Sequence, residues 1–326
     1  MKVIHWSMHN GSGMHRVAES LVAAERSIGL DSILVNLHDA TTFDQTLDAD
    51  IHVSHTHLPD DMRAKFTKPY RVVWVGHGTP EHVFQGAVEA GIDHRYGHAD
   101  GWMLVQHWLQ TADACVTFWP RHQAIWQSLC DKRTVVDCVP LGVDRTFWSP
   151  QPSRGKYAGE PSVFTAENCH YIKWPLDLFL AWPWVCERLA TQATLHAIYL
   201  PNDQHRWFFP LVNRNGCAYR SHISPIALES ADLRNAFLSV DYVVGLVRYG
   251  DFNRLSLEAN ASGATTISYA GNLHADYWVP EGDQRAIATA LVDILEGRVE
   301  KRAKTPVPSI VETAQAMRAI YERIAA

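Results

Sequence analysis

The chain is poor in the features that mark nucleic-acid, membrane or disulfide-stapled proteins. Its 29 Lys and Arg are outnumbered by 35 Asp and Glu, for a formal net charge of −6. That balance disfavours a protein held on a polyanion by overall charge, and leaves a nucleic-acid partner only a local basic patch such as the Arg121, Lys132 and Arg133 region. No apolar run approaches the roughly 20 residues needed to span a bilayer, so no transmembrane segment is expected. The opening stretch, Met1-Lys2-Val3-Ile4-His5-Trp6, lacks the form of a signal peptide and enters a strand at once. Six cysteines (115, 130, 138, 169, 186 and 217) show no C-x-x-C spacing and are expected to be reduced thiols, mostly buried. The expected location is the cytoplasm, with peripheral attachment to the inner membrane face left open. There is no H-E-x-x-H run for a metalloprotease-type zinc site. There is also no full G-x-G-x-x-G, because Arg16 stands where the third glycine would follow Gly11 and Gly13.

What is present is ordinary globular composition, 47% hydrophobic and 20% charged over 326 residues, enough chain for two domains with separate cores. Apolar strands alternate with amphipathic helices throughout, the pattern of parallel sheets covered on both faces. In the first half, strands are expected at Lys2–Trp6, Ser32–Leu37, Ile51–Ser54, Arg71–Val75, Ala114–Phe118 and Thr134–Val139, with helices at His15–Ile28, Trp102–Gln110 and Arg121–Leu129. In the second, strands are expected at Ser162–Thr165, Thr194–Tyr199, Ala218–Arg220, Asp241–Val247 and Thr265–Tyr269. Helices there are expected at Leu176–Leu189, Pro225–Ser239, Arg254–Ser262, Gln284–Gly297 and Ile310–Ile324. The stretch from Pro150 to Pro161 is polar and rich in Gly and Pro, a linker composition. The resulting division is an N-terminal Rossmann-like domain over 1–150, a second over 151–305, and a closing helix over 306–326.

The richest segment is Leu246 to Ser268, LVRYGDFNRLSLEANASGATTIS. An apolar strand, a polar loop containing Gly250, and a helix opening at Arg254-Leu255-Ser256-Leu257-Glu258 together present unpaired backbone N–H groups to an anion. Glu258 lies about one helical turn inside and is placed to reach a hydroxylated group beside that anion. Such a cradle with a carboxylate nearby suits a sugar diphosphate. Asn10-Gly11-Ser12-Gly13 follows the first strand and opens a helix, so its backbone can also approach a diphosphate or acceptor closely.

Several segments, in order, resemble the retaining GT-B glycosyltransferases of family 4. They are the glycine-rich loop at Gly11, Ser12 and Gly13; Val139-Pro140-Leu141-Gly142-Val143-Asp144; Ile172-Lys173-Trp174-Pro175; and the donor-site run ending in Glu258-Ala259-Asn260-Ala261-Ser262-Gly263. The resemblance implies two facing Rossmann-like domains with a cleft between them, the closing helix crossing back onto the first. It implies transfer of a sugar from a nucleotide diphosphate sugar to a hydroxyl acceptor, commonly a saccharide or lipid-linked saccharide, with retention and no metal or other cofactor. A modified DNA base or a protein side chain is the alternative acceptor, and a non-catalytic nucleotide-sugar-binding protein the alternative class. By the same resemblance, Glu258 binds the donor ribose and Lys173 contacts the diphosphate. Asn168 stands where the family has an arginine, and Arg254 is the candidate to supply the missing charge. Gly250 stands where the family has a glutamate beside the sugar, with Asp251 as the neighbouring substitute. Phe252, Asn253, Arg254 and Leu255 present backbone N–H groups, Ser256 lies in the first turn behind them, and His77 lies near the transferred sugar.

Thirteen of the 18 histidines fall before residue 123. His52-Val53-Ser54-His55-Thr56-His57-Leu58-Pro59-Asp60 superficially resembles the His-x-His-x-Asp-His run of binuclear metallohydrolases, but Pro59 occupies the aspartate position and Asp60 the second histidine's. No metal site is expected. His55 and His57 are expected at a strand end lining the cleft, and the 12 tryptophans mostly in the cores.

Overall fold

The computed structural model describes residues 1–7, 13–37, 48–55, 58, 60–78, 109–130, 134–152, 155–157, 159–166, 176–199, 219–223, 230–247 and 254–326. The chain divides into two compact units, Met1–Asp144 with Pro308–Ala326, and Arg145–Val307. Each is built on a six-stranded, wholly parallel sheet.

In the first unit the strands are β1 (Lys2–Ser7), β2 (Asp31–Asn36), β3 (Ile51–Ser54), β4 (Arg71–Gly76), β5 (Ala114–Thr117) and β6 (Val135–Cys138), in the order β2-β1-β3-β4-β5-β6. Near-continuous burial along β1, β3, β4 and β5 follows from helices on both faces, so these strands read as unbroken apolar runs rather than alternating ones. The helices are α1 (Gly13–Ser27), the single turn α2 (Asp60–Arg63), α3 (Pro120–Leu129) and, from the far end of the chain, α8 (Ile310–Ala325). α8 starts in a capping box, Ser309 Oγ accepting from the Glu312 N–H at 3.2 Å while Glu312 Oε2 accepts from the Ser309 N–H at 2.6 Å. Its buried face, Ile310, Thr313, Ala314, Met317, Ile320 and Tyr321, lies against α1.

The connection into α8 is tied down by the Val139–Asp144 signature. Val143 donates its N–H to Pro308 O at 3.0 Å and its carbonyl accepts from Ile310 N–H at 2.9 Å. Gly142 donates its N–H to Thr313 Oγ1 at 2.8 Å, and a Cβ on Gly142 would lie 2.1 Å from Ser309 O. Only glycine lets the two backbones pass this closely.

In the second unit the strands are β7 (Ser162–Thr165), β8 (Thr194–Tyr199), β9 (Tyr219–Ile223), β10 (Tyr242–Gly245), β11 (Thr266–Tyr269) and β12 (Tyr277–Val279), in the order β12-β11-β10-β7-β8-β9. The helices are α4 (Leu176–Arg188), α5 (Ser230–Leu238), α6 (Arg254–Ala261) and α7 (Gln284–Leu295). The core gathers Leu178, Phe179, Trp182 and Val185 of α4 with Ile287, Leu291 and Ile294 of α7 over the sheet. That burial holds α4 together through Pro183, which removes one intrahelical donor. The segment just ahead of the Gly- and Pro-rich stretch is fastened here: Arg234 lies over the Phe147 ring at 4.4 Å, and the Trp148 and Phe237 rings are 5.9 Å apart.

Some element bounds differ from the sequence reading. The strand expected at Ala218–Arg220 continues to Ile223, because the edge strand pairs with β8 in unbroken register from Leu195↔Tyr219 to Tyr199↔Ile223. The described part of the helix expected at Pro225–Ser239 is Ser230–Leu238, while most of the Trp102–Gln110 helix lies outside the described residues. Among the described cysteines, all free, Cys115 is buried, but Cys130, Cys138 and Cys186 are only half-buried. Among the described tryptophans, Trp6, Trp126 and Trp182 are fully buried. No described helix is long and apolar enough to cross a membrane.

Candidate functional site

In each sheet the strand order reverses beside the first strand, between β1 and β3 in the first unit and between β7 and β10 in the second. In open parallel sheets this switch point, at the carboxyl ends of the strands, is where loops diverge and ligands bind. The described candidate residues lie on segments that follow strands of these sheets, each taken here within its own unit.

In the second unit, β10 leads to α6. The helix exists because Leu255, Leu257 and Ala259 are buried toward the sheet, and it ends where Ser262-Gly263 turns the chain back. Gly263 has φ +90°. Its N–H reaches Asn260 O and the Ala264 N–H reaches Ala259 O, both at 3.0 Å, a Schellman closure that requires a left-handed residue. Glu258 is buried, and its Oε1 accepts from Arg254 Nε at 2.5 Å, one turn apart. The carboxylate therefore sits at the positive end of the helix, tied to a guanidinium that is itself part-exposed. Ser256 is fully buried between them in sequence, and among the described residues its Oγ has no hydrogen-bond partner. Thr165 Oγ1, at the carboxyl end of β7 next to β10, is also buried without a partner. A buried hydroxyl with nothing to bond is costly and uncommon. One lies in the first turn of α6 and the other at the carboxyl end of β7.

In the first unit, Gly13 opens α1 directly after the glycine-rich loop, and His77 immediately follows β4. His77 packs edge-on against Phe118 at 5.5 Å. Its Nε2 is 2.8 Å from His55 Nδ1, and His55 Nε2 is 2.9 Å from His5 Nδ1. His5 Nε2 in turn is 2.8 Å from Glu25 Oε2. Glu25 is fully buried and also accepts from Ser32 Oγ at 2.6 Å and Tyr321 Oη at 2.8 Å. Burial pushes its carboxyl upward, but His5 and these hydroxyls outweigh that and hold it below the usual carboxylate value. His55 is held well below the usual histidine value, first by burial and then by the neighbouring histidines. Beside this line, His15 on α1 bonds Ser7 Oγ through Nδ1 at 3.1 Å, and its Nε2 lies 3.3 Å from Glu19.

This corrects the reading of His55: it does not line an open surface but is 2% exposed, inside a hydrogen-bonded line. The line also differs from a metal centre, because adjacent nitrogens are used on one another rather than converging on a point. Among the described residues no group of three or more His, Cys, Asp or Glu could hold a metal ion. Sequence reasoning missed His5, His15, Glu25 and Thr165. One signal was available: Glu25 is a carboxylate on the buried side of α1, four residues after Leu21.

Of the candidate residues, Gly13 opens α1 and His77 follows β4 in the first unit, while Arg254, Leu255, Ser256 and Glu258 lie together on α6 in the second. Gly11, Ser12, Asn168, Lys173, Gly250, Asp251, Phe252 and Asn253 lie outside the described residues, as does His57.

With this geometry in hand, comparison with known proteins places the fold. No protein-family model matches the chain, and no curated protein matches its sequence. Solved structures do match over its whole length. Sucrose-phosphate synthase from Thermosynechococcus elongatus superposes with TM-score 0.70 at 15% identity, covering 100% of this chain and 96% of that one. Anabaena HepE in complex with UDP-glucose gives 0.62 at 14% identity, covering 100% and 98%. The lipopolysaccharide outer core galactosyltransferase WaaB gives 0.65 at 11% identity, covering 99% and 100%. The fold, two parallel-sheet α/β units, is that of the GT-B glycosyltransferases.

Proposed function

We propose that the protein is a glycosyltransferase that moves a sugar from a nucleotide diphosphate sugar to a hydroxyl acceptor, a saccharide or lipid-linked saccharide, without a metal and with retention of configuration. The observation that carries the reading is α6, with Glu258 buried and paired to Arg254 and the Ser256 hydroxyl without a partner among the described residues. A uridine diphosphate sugar is the first donor to test, since HepE, of the same fold, is in complex with UDP-glucose.

In this reading Glu258 accepts hydrogen bonds from the donor ribose. Arg254, Lys173 and the N–H groups of Phe252, Asn253 and Leu255 neutralise the leaving diphosphate. Asp251 takes the place beside the sugar that Gly250 leaves empty of side chain, Asn168 bonds a phosphate oxygen, and Gly11, Ser12 and Gly13 contribute backbone to donor binding. Preorganised cations and N–H dipoles are the largest single source of stabilisation for a departing anion. The diphosphate oxygen then accepts the acceptor's proton as the sugar is attacked from the face it leaves.

The test is a thermal-shift panel of nucleotides and nucleotide sugars, with and without EDTA. Ligand at 100 times its Kd adds roughly 2.7 kcal/mol to the folded state, a visible shift. A shift with one nucleotide diphosphate, insensitive to EDTA and weakened in Glu258→Gln, supports the donor site. Full transfer activity in Lys173→Ala sinks the assignment. Binding without transfer to any of a broad panel of acceptors favours a nucleotide-sugar-binding protein instead.

A further inference from the structure

Arg254 and Glu258 both serve the donor in the proposed function, yet each is the other's partner on α6. Arg254 Nε donates to Glu258 Oε1 at 2.5 Å, with the glutamate side chain 7% exposed and the arginine side chain 25%. The pair runs against the helix. α6 begins at Arg254, so a guanidinium stands at the positive end of the macrodipole, and the cation precedes the anion, the weaker of the two i,i+4 orders. Helix stability therefore gives no reason for an arginine here, whereas a buried carboxylate in need of a counter-charge does. Burial of Leu255, Leu257 and Ala259 fixes the helix and with it the spacing of the two charges.

We propose that the Arg254–Glu258 pair is a specificity device of the donor site: it makes the ribose and the diphosphate of a nucleotide bind as one unit, Arg254 passing from Glu258 to the diphosphate as the ribose takes its place. The proposal rests on the nucleotide-sugar reading of the site. Its physical basis is the strength of the bonds on offer. Nucleoside hydroxyls are neutral donors and bond a carboxylate more weakly than a guanidinium does, so a nucleoside alone does not displace Arg254 cheaply. A diphosphate is a charged, bidentate acceptor and can take the guanidinium, but alone it leaves Glu258 buried without a counter-charge, which is strongly unfavourable. Only a ligand that carries both halves replaces both ends of the pair. Each half therefore helps the other to bind, and by thermodynamic linkage the help is equal in both directions.

The test uses the full chain and equilibrium titrations with uridine, inorganic pyrophosphate and UDP as probes, in EDTA. If a panel of nucleoside diphosphates shows another base to be bound instead, its nucleoside and diphosphate replace uridine and UDP. In wild type, saturating pyrophosphate should tighten uridine binding about tenfold, and saturating uridine should tighten pyrophosphate binding by the same factor. Arg254→Leu should bind uridine about tenfold more tightly than wild type, because Glu258 is released to the ribose, and UDP about tenfold more weakly, with the coupling between the two halves gone. Glu258→Gln should also lose the coupling. An arginine that only contacts the diphosphate would weaken UDP binding without tightening uridine. One that only orients Glu258 would weaken both, and one that only supports the helix would leave both unchanged. Each of these three results overturns the proposal, as does UDP binding in wild type with no coupling between uridine and pyrophosphate. The wild-type coupling tests it even if Arg254→Leu does not fold. If wild type binds no nucleoside diphosphate at all, the nucleotide-sugar reading itself is overturned, and the proposal with it.

Discussion

The Tyr321 hydroxyl donates to Glu25 Oε1 at 2.8 Å across 296 residues of sequence, with both side chains fully buried. The last helix thereby completes the solvation of a carboxylate set in the first. Burial and the adjacent carboxylate both push the Tyr321 hydroxyl well above its usual value, so it stays a donor at any working pH.

Removing that donor should cost stability. Tyr321→Phe leaves Glu25 with Ser32 and His5 but takes away one hydrogen bond to a buried anion, a loss of about 1.5–3 kcal/mol. Urea titration should show a lower midpoint with an unchanged slope. An unchanged midpoint would mean that the tyrosine contributes packing alone.

Histidine 52 should make the fold acid-sensitive at mildly low pH. Its Nδ1 accepts from Trp6 Nε1 at 3.0 Å and its ring stacks on Phe66 at 3.8 Å. Burial, with smaller contributions from Arg63 and Lys2, lowers it to about 4. The unfolded chain binds this proton below pH ~6.5 and the folded chain only near 4, so stability falls as pH drops across that window, by on the order of 3 kcal/mol. Denaturation midpoints measured from pH 7 to 4 should fall with pH, and His52→Asn, which does not titrate, should make the fall shallower.

Glu258→Gln should weaken nucleotide-sugar binding about tenfold, equivalent to ~1.4 kcal/mol. The amide retains an acceptor but loses the charge that holds Arg254 and that, in the proposed donor site, receives ribose hydroxyls. Calorimetric titration with UDP-glucose checks it, alongside a thermal scan of the unliganded variant. A large drop in melting temperature with unchanged binding would make Glu258 a helix-stabilising carboxylate only.

Gly142→Ala should loosen the last helix. The added methyl would strike the Ser309 backbone at 2.1 Å, where no side chain can yield. Opening the Val143–Ser309 bridge should cost about 3 kcal/mol, the upper range for overpacking. Hydrogen exchange should show faster opening of α8, from Ile310 onward, before the rest of the first unit. Uniform exchange would contradict this.

The βα alternation and the α6 segment were legible because their information is local. Apolar runs of four to six residues, the Ser262-Gly263 stop and the Ser309–Glu312 box all sit within one element or its cap. Glu258 and Arg254 were read as separate ligand groups; that they pair one turn apart on α6 appears only in the structure. Pro183 reads as a helix breaker, yet α4 continues through it, because packing of Phe179, Trp182 and Val185 outweighs one lost backbone bond. Gly142 stood in the sequence as one residue of a family-like signature. Its reason, a backbone passage beside Ser309, appears only when the chain's far end is in place.

By itself, then, the sequence determined two parallel α/β units and the α6 helix with its Ser262-Gly263 stop, since period, propensity and capping act over a few residues. Tertiary structure alone decided that His5, Glu25, His55, His77 and Tyr321 would share one hydrogen-bonded line. Those residues lie on different elements, and nothing in the spacing of a histidine or a glutamate says which partner will meet it. Only the strand order β2-β1-β3-β4, with α1 and α8 laid together, brings them within bonding distance.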